Sequence, residues 1–245
     1  MPGPRVYIHE FVEIRDQNRA RYMQHITANW SPIGQQERGQ LCFGIWGTVG
    51  STGRWPEVVN LWEYRDWEHL AENFHIEMDH PTLQDPSLEP WWAEAVAMRR
   101  GGLDRILVAA EFSPGIEELC ARGVRGAAYA HEIVSGPAGS APELLARARD
   151  RGLSAYRGLG AELVGAFRTA MQDDTECVFL WAFTDWSAWA AFERGYDADP
   201  AMRSLREDTR GLGAATRRFL MVDAPLSPLA TGRQPRESDR GEPPR

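Results

Sequence analysis

Lysine is absent from these 245 residues: all 27 basic side chains are arginine. The chain's own side chains therefore cannot form a Schiff base with a carbonyl substrate. Cysteine is scarce. Cys42, Cys120 and Cys177 have neither the even count nor the C-x-x-C spacing of a disulfide framework, a redox pair or a zinc site. Cys42 and Cys177 lie in apolar, strand-like runs, where a free thiol acts as a small hydrophobe. A glycine-rich phosphate loop and an H-E-x-x-H pair are both missing, so no cofactor and no metal is expected. No apolar run approaches the ~18 residues of a membrane span, and none follows a basic stretch at the start as in a signal peptide. The expected compartment is the cytoplasm, with no membrane partner. Positive charge is in deficit: a net charge of -8 argues against nucleic acid, which needs a basic face.

The chain does contain itself twice. Glu57-Val58-Val59-Asn60-Leu61-Trp62-Glu63-Tyr64 returns as Glu176-Cys177-Val178-Phe179-Leu180-Trp181-Ala182-Phe183, and Tyr7-Ile8-His9-Glu10 returns as Tyr129-Ala130-His131-Glu132. A period of roughly 120 residues is far longer than the ~20–50 of a solenoid repeat, and fits a fused pair of small domains. The spacing predicts a first domain over 1–113, a linker over 114–126, a second domain over 127–224 and a disordered, Pro- and Arg-rich tail over 225–245.

Within the first repeat, strand-like runs at Arg5–Ile14, Leu41–Val49, Glu57–Tyr64 and Asp104–Phe112 alternate with helical stretches. Pro32 should kink or break the first helix, and Asp66 and Asp185 are expected N-caps of equivalent helices. The β-α-β-β-α-β order is ferredoxin-like. Several strands are apolar on both faces, which implies burial on both sides. The predicted fold class is α+β: tandem ferredoxin-like domains packed sheet on sheet as an intramolecular dimeric barrel, with a cavity between the sheets.

Val6-Tyr7-Ile8-His9-Glu10 running into Tyr22-Met23, then Gly44-Ile45-Trp46, then Val58 to Tyr64, resembles NIPSNAP-type domains of the dimeric α+β barrel superfamily. That superfamily holds cofactor-independent monooxygenases, polyketide cyclases, haem enzymes and dehydratases. The resemblance implies the barrel rather than a mechanism. The family pattern carries a basic residue where Glu10 and Glu132 stand here, and a His where Asn60 and Phe179 stand.

Glu10 and Glu132 are mid-strand carboxylates among apolar neighbours. Facing a cavity, such a group should have a raised pKa suited to acid/base work; the alternative is a structural ion pair with arginine. His9 and His131 then point the other way, under the helices. His75 and His80 occur only in the first repeat. The His80-Pro81 pair resembles the region that carries a catalytic His in cyclases of the superfamily, and an imidazole at a cavity mouth can shuttle protons. Trp46, Trp62 and Trp181 would wall the cavity for a flat ring. Asn60 and Tyr64 replace Phe179 and Phe183, so the first repeat has hydrogen-bonding groups where the second has rings. Trp91-Trp92 suit a lid or an interface anchor.

The resulting expectation is a cofactor-independent, biosynthetic enzyme acting on a small apolar or aromatic molecule. Glu10, His80, Tyr64 and His75 are its candidate catalytic residues; Asn60, Trp46, Trp62, Glu132 and Trp181 are its candidate binding residues. The chemistry would be cyclisation, isomerisation or elimination. Alternatives are a cofactor-free oxygenase of an aromatic substrate, a non-catalytic binding or scaffold protein, and a haem protein with a His ligand. Association of two fused chains into a homodimer is open.

Overall fold

A computed structural model describes residues 3–241. The first repeat contributes strands β1 Val6–Ile14, β2 Leu41–Thr48, β3 Glu57–Tyr64 and β4 Arg99–Ala109; the second contributes β5 Ala128–Ser135, β6 Glu162–Thr169, β7 Glu176–Phe183 and β8 Ala215–Asp223. Each repeat forms an antiparallel sheet, ordered β4-β1-β3-β2 and β8-β5-β7-β6. Short pairings of β2 with β8 and of β4 with β6 join the two sheets into one closed barrel. This is the dimeric α+β barrel architecture carried by one polypeptide.

Side chains alternate across each strand, so every strand feeds two cores. Tyr7, Phe43, Trp46, Val59, Leu61, Tyr129, Phe167, Leu180 and Phe219 are among the residues that fill the barrel. A barrel of eight strands is just wide enough for side chains to fill, and here rings fill it. The expected inter-sheet cavity is thus a packed interior. Gly44 and Gly165 sit at matching bulges in β2 and β6. A Cβ at Gly44 would lie 2.0 Å from the Trp46 ring, and one at Gly165 2.4 Å from Phe167. Each glycine lets a core ring fold back over its own strand.

His9 and His131 meet at the centre of the barrel, Nε2 to Nε2, at 2.9 Å. Arg105 donates from Nε to His9 Nδ1 at 3.2 Å. His9 must therefore carry its proton on Nε2 and donate it to His131, whose own proton sits on Nδ1. Burial, then the neighbouring positive charges, holds both imidazoles neutral, with His131 pushed down to about 3. The expectation that these histidines pack under the helices is reversed. Period two separates His9 from Glu10 correctly, but the strand turns Glu10 to the helix side, where Asn60 and Trp62 donate to it, and His9 to the barrel, where Arg105 donates to it.

Two further cores lie between the sheet of each repeat and its helices. The first helical run is Arg19–Gln24, then a π turn His25–Trp30, then Ser31–Arg38. The second repeats it as Ala141–Arg147, π Ala148–Gly152 and Leu153–Gly158. The irregularity therefore belongs to the fold and not to Pro32, since the second run has no proline there; such π turns are frequent at functional sites. Asp66 caps helix Trp67–Met78 through His69 N at 2.9 Å, and Asp185 caps Trp186–Ala198 through Ala188 N at 2.7 Å.

Two segments are more ordered than composition suggests. The joining region contains helix Ile116–Ala121, whose Ile116 and Leu119 belong to the barrel core. Beyond residue 225, where disorder was expected, helix Pro228–Thr231 buries Leu229. Gln234 accepts from Cys42 N at 3.0 Å and donates to Cys42 O at 2.8 Å, satisfying backbone groups freed at the β2 bulge. Residues 242–245 of that expected tail lie outside the described residues. Two tyrosines are held by acids: within the first sheet Tyr7 donates to Glu63 at 2.9 Å, and beside the β2–β8 seam Tyr129 donates to Asp223 at 3.0 Å.

Candidate active site

The first repeat keeps a cavity of about 190 Å³ between its sheet and its helices, lined by Glu10, Tyr22, Trp62, Tyr64, Trp91 and Asp104 among others. Glu10 stands opposite Asn60 across the β1–β3 ladder, with Trp62 one pleat along on the same face. Asn60 Nδ2 donates to Glu10 Oε2 at 2.8 Å and Trp62 Nε1 donates to the same oxygen at 2.9 Å. Among the described residues Oε1 receives no donor. One carboxylate oxygen is held and the other is left to the cavity.

Among the described residues no arginine pairs with Glu10. Its neighbour across the β1–β4 ladder is Asp104. Burial, then the Asp104 charge, raises the Glu10 pKa, against the hydrogen bonds from Trp62 and Asn60 and the charge of Arg99. Burial, then Glu10, also raises Tyr22 and Tyr64, so both phenols stay protonated. Tyr22 accepts from Asn60 Nδ2 at 3.1 Å, which leaves its own O–H to donate.

Tryptophans roof the cavity. Trp91 lies 4.9 Å from Trp30 and 4.8 Å from Trp92, centroid to centroid, and stacks on His25 at 5.0 Å. His25 and Trp30 come from the π turn, while Trp91 and Trp92 come from helix Glu89–Met98. Arg38 ties the roof down through Glu77 at 3.3 Å and Asp85 at 3.0 Å.

The second repeat closes the equivalent space around its glutamate. Tyr156 donates to Glu132, lying 3.0 and 2.8 Å from its two oxygens, and Arg218 stands 3.8 Å away. Arg218 occupies the strand position that Asp104 holds in the first repeat, each facing its glutamate. Tyr156 is the fourth residue after its π turn, where the first repeat has Gly34. Its ring stacks on Trp181 at 4.1 Å. The space left beside Glu132 is about 50 Å³.

Of the residues singled out by sequence, the structure brings Glu10, Asn60, Trp62 and Tyr64 together. Glu132 and Trp181 lie together in the other repeat, each against Tyr156. Trp46 is fully buried inside the barrel, against Phe43 and Tyr129. His75 is exposed and pairs with Asp79 one turn on. His80 is bound to Thr82 Oγ1 at 2.8 Å. Neither lines the cavity, because both lie on the solvent side of the segment that follows β3. Sequence reasoning missed Tyr22 and Asp104 as site residues. Aligning the fourth strands of the two repeats, Asp104 on Arg218, is the signal that could have found the second.

Among the described residues no cluster of three metal-binding side chains occurs, and no helix is long and apolar enough to cross a membrane. No protein-family model and no curated protein matches the chain. Solved structures do. A Fusobacterium nucleatum protein with a provisional monooxygenase assignment superposes with a TM-score of 0.58 at 10% identity, over 91% of this chain and 94% of its own. An anthrone oxidase-like protein gives 0.56 at 11% identity, over 90% and 94%. A NIPSNAP domain protein from Burkholderia xenovorans is 26% identical, covering 40% of this chain and 94% of its own, with a TM-score of 0.35. The first two likenesses establish the fold.

Proposed function

We propose that the chain is an enzyme that moves a proton on an apolar, ring-containing molecule, with Glu10 as the base. One observation carries the reading: a half-buried carboxylate, with no cationic partner among the described residues, has one oxygen held by two donors and the other open to a tryptophan-roofed cavity. In the step, a C–H bond beside a carbonyl breaks. The proton passes to Glu10 Oε1, and the electron pair moves into the ring system as an enolate. Tyr22 or Tyr64 donates to the new oxyanion. Return of the proton elsewhere gives isomerisation; attack of the carbanion within the molecule gives cyclisation; loss of a leaving group gives elimination. The raised Glu10 pKa strengthens it as a base and delays its ionisation.

A second reading uses the same enolate. Dioxygen as co-reactant would take its electrons and form a new C–O bond, so that a ring methylene becomes a carbonyl and one water leaves. Similarity to proteins described as a monooxygenase and as anthrone oxidase-like favours it.

Anthrone, a tricyclic ketone with an acidic ring methylene, tests both. Its exchange with deuterium in D₂O is followed by NMR without oxygen, and oxygen uptake is followed separately. The wild type is expected to accelerate exchange, with a rate that rises as pH passes the raised Glu10 pKa. Glu10→Gln is expected to lose about 100-fold or more. Exchange unchanged in a folded Glu10→Gln protein would leave a binding protein rather than an enzyme. Oxygen uptake separates the second reading from the first.

A further inference from the structure

The cavity beside Glu10 is small for its proposed task. Small-molecule pockets commonly run to ~300–1,000 Å³, against about 190 Å³ here. It does not end at its rim. Ile8, Phe74 and Asp104 also line a groove of about 580 Å³ that continues over β4 to Leu103, Ile106 and Met171. β4 pairs with β6 only at Leu107–Ala109. The strands splay below that point, and the groove occupies the gap beside the β6–β7 turn.

The groove is apolar where solvent exposure predicts polar residues. Leu103 is 61% exposed, Met171 88% and Phe74 38%. Met171 holds this position with a φ of 56°, backbone that glycine adopts at less cost.

The second repeat supplies an internal control. His9 faces Arg105 as His131 faces Phe219, so Leu103 corresponds to Arg217. Ala170 N bonds Ile106 O as Val49 N bonds Leu220 O, so Met171 corresponds to Gly50. The helices capped by Asp66 and Asp185 place Phe74 opposite Glu193. Three residues from three elements are apolar around the open site, and their counterparts around the closed site are Arg, Gly and Glu. Scattered exposed hydrophobics need no explanation. A matched set confined to one side of a duplicated barrel, and continuous with its larger cavity, does.

We infer that this groove is a second binding subsite, taking the apolar remainder of an elongated aromatic substrate whose reacting ring lies against Glu10. The inference rests on the reading of the cavity given above and adds to it the substrate's shape. The reacting ring carries a further ring or an alkyl chain that extends outward, past Phe74, between Leu103 and Met171. Leu103 and Met171 set selectivity for length, and Glu10 sets the chemistry.

The test compares 4-methylphenol, 4-phenylphenol and 4-hexylphenol, with binding read from quenching of tryptophan fluorescence. The wild type is expected to bind both extended phenols at least about 10-fold more tightly than 4-methylphenol. The Leu103→Arg/Met171→Gly protein installs the residues found at the matching positions around the closed site, Arg217 and Gly50. It is expected to lose that preference, to within about twofold, with its melting temperature retained. Leu103→Ser alone gives a second, milder variant for the same readout. Preference for the phenyl but not the hexyl compound would assign the subsite to fused or linked rings, and the reverse to a chain. A wild type with no length preference, or variants that keep it, would overturn the subsite while leaving the cavity reading intact. Failure of the wild type to bind any of the three would overturn both.

Discussion

Asp223 should make the barrel less stable as pH rises, and replacing it with asparagine should remove that dependence. The carboxyl closes β8 at the seam opposite Trp46. Burial pushes its pKa up from 3.8 to about 7, against hydrogen bonds from Ser227 and Tyr129. A carboxyl whose pKa is raised on folding favours the folded state fully below its unfolded value. That contribution fades as pH climbs through the folded value. The gap between 3.8 and about 7 corresponds to at most about 4 kcal/mol between pH 3 and pH 8. Asp223→Asn keeps an oxygen for Tyr129 to donate to and cannot ionise. Urea unfolding of both proteins at pH 4 and pH 8 isolates this group, since every other titration cancels in the difference. The variant is expected to be equal or slightly weaker at pH 4, and to gain about 3 kcal/mol on the wild type by pH 8. A difference that stays constant across that range would refute the argument.

Other outcomes follow from the geometry already described. Gly44→Ala drives a methyl group into the Trp46 ring, so chemical denaturation should show a loss of about 3 kcal/mol. Glu132→Gln should cost about 1 kcal/mol of stability, through its bonds to Tyr156 and Arg218, and should leave anthrone exchange within about twofold of wild type; a loss as large as that of Glu10→Gln would make the second repeat a working site. His75→Ala and His80→Ala should each shift stability by no more than about 0.5 kcal/mol and leave exchange unaltered, because both side chains lie outside the cavity. A large fall in exchange for either would return the histidines to the mechanism.

The duplication, the strands and the paired N-caps at Asp66 and Asp185 are legible because period-two patterning and capping are local. The choice of face is not. Strands such as Val58-Val59-Asn60-Leu61-Trp62 are apolar on both sides. The partners found on each side go with the face that each residue takes: Asn60 and Trp62 for Glu10 beneath the helices, Arg105 and His131 for His9 in the barrel. The contrast of Asn60 and Tyr64 with Phe179 and Phe183 does point to the repeat with the larger cavity. The matching π turns leave no mark in composition. The segment after residue 225 reads as disordered because two specific contacts, Leu229 in the barrel core and Gln234 on Cys42, outweigh its average polarity. The exchange of Asp104 for Arg218 is visible once the fourth strands are aligned, whereas their register against Glu10 and Glu132 is a property of the ladder.

Covalent fusion changes what mutation can do to such a barrel. When two identical chains associate, one gene change is written into both halves at once, so a guanidinium placed beside one glutamate is placed beside its twin. Here the linking helix Ile116–Ala121 makes the halves separately editable. Arg218 can neutralise Glu132 while Asp104 keeps Glu10 without a cation. One half is thereby free to close around its carboxylate, and the other is free to keep a cavity beside its own.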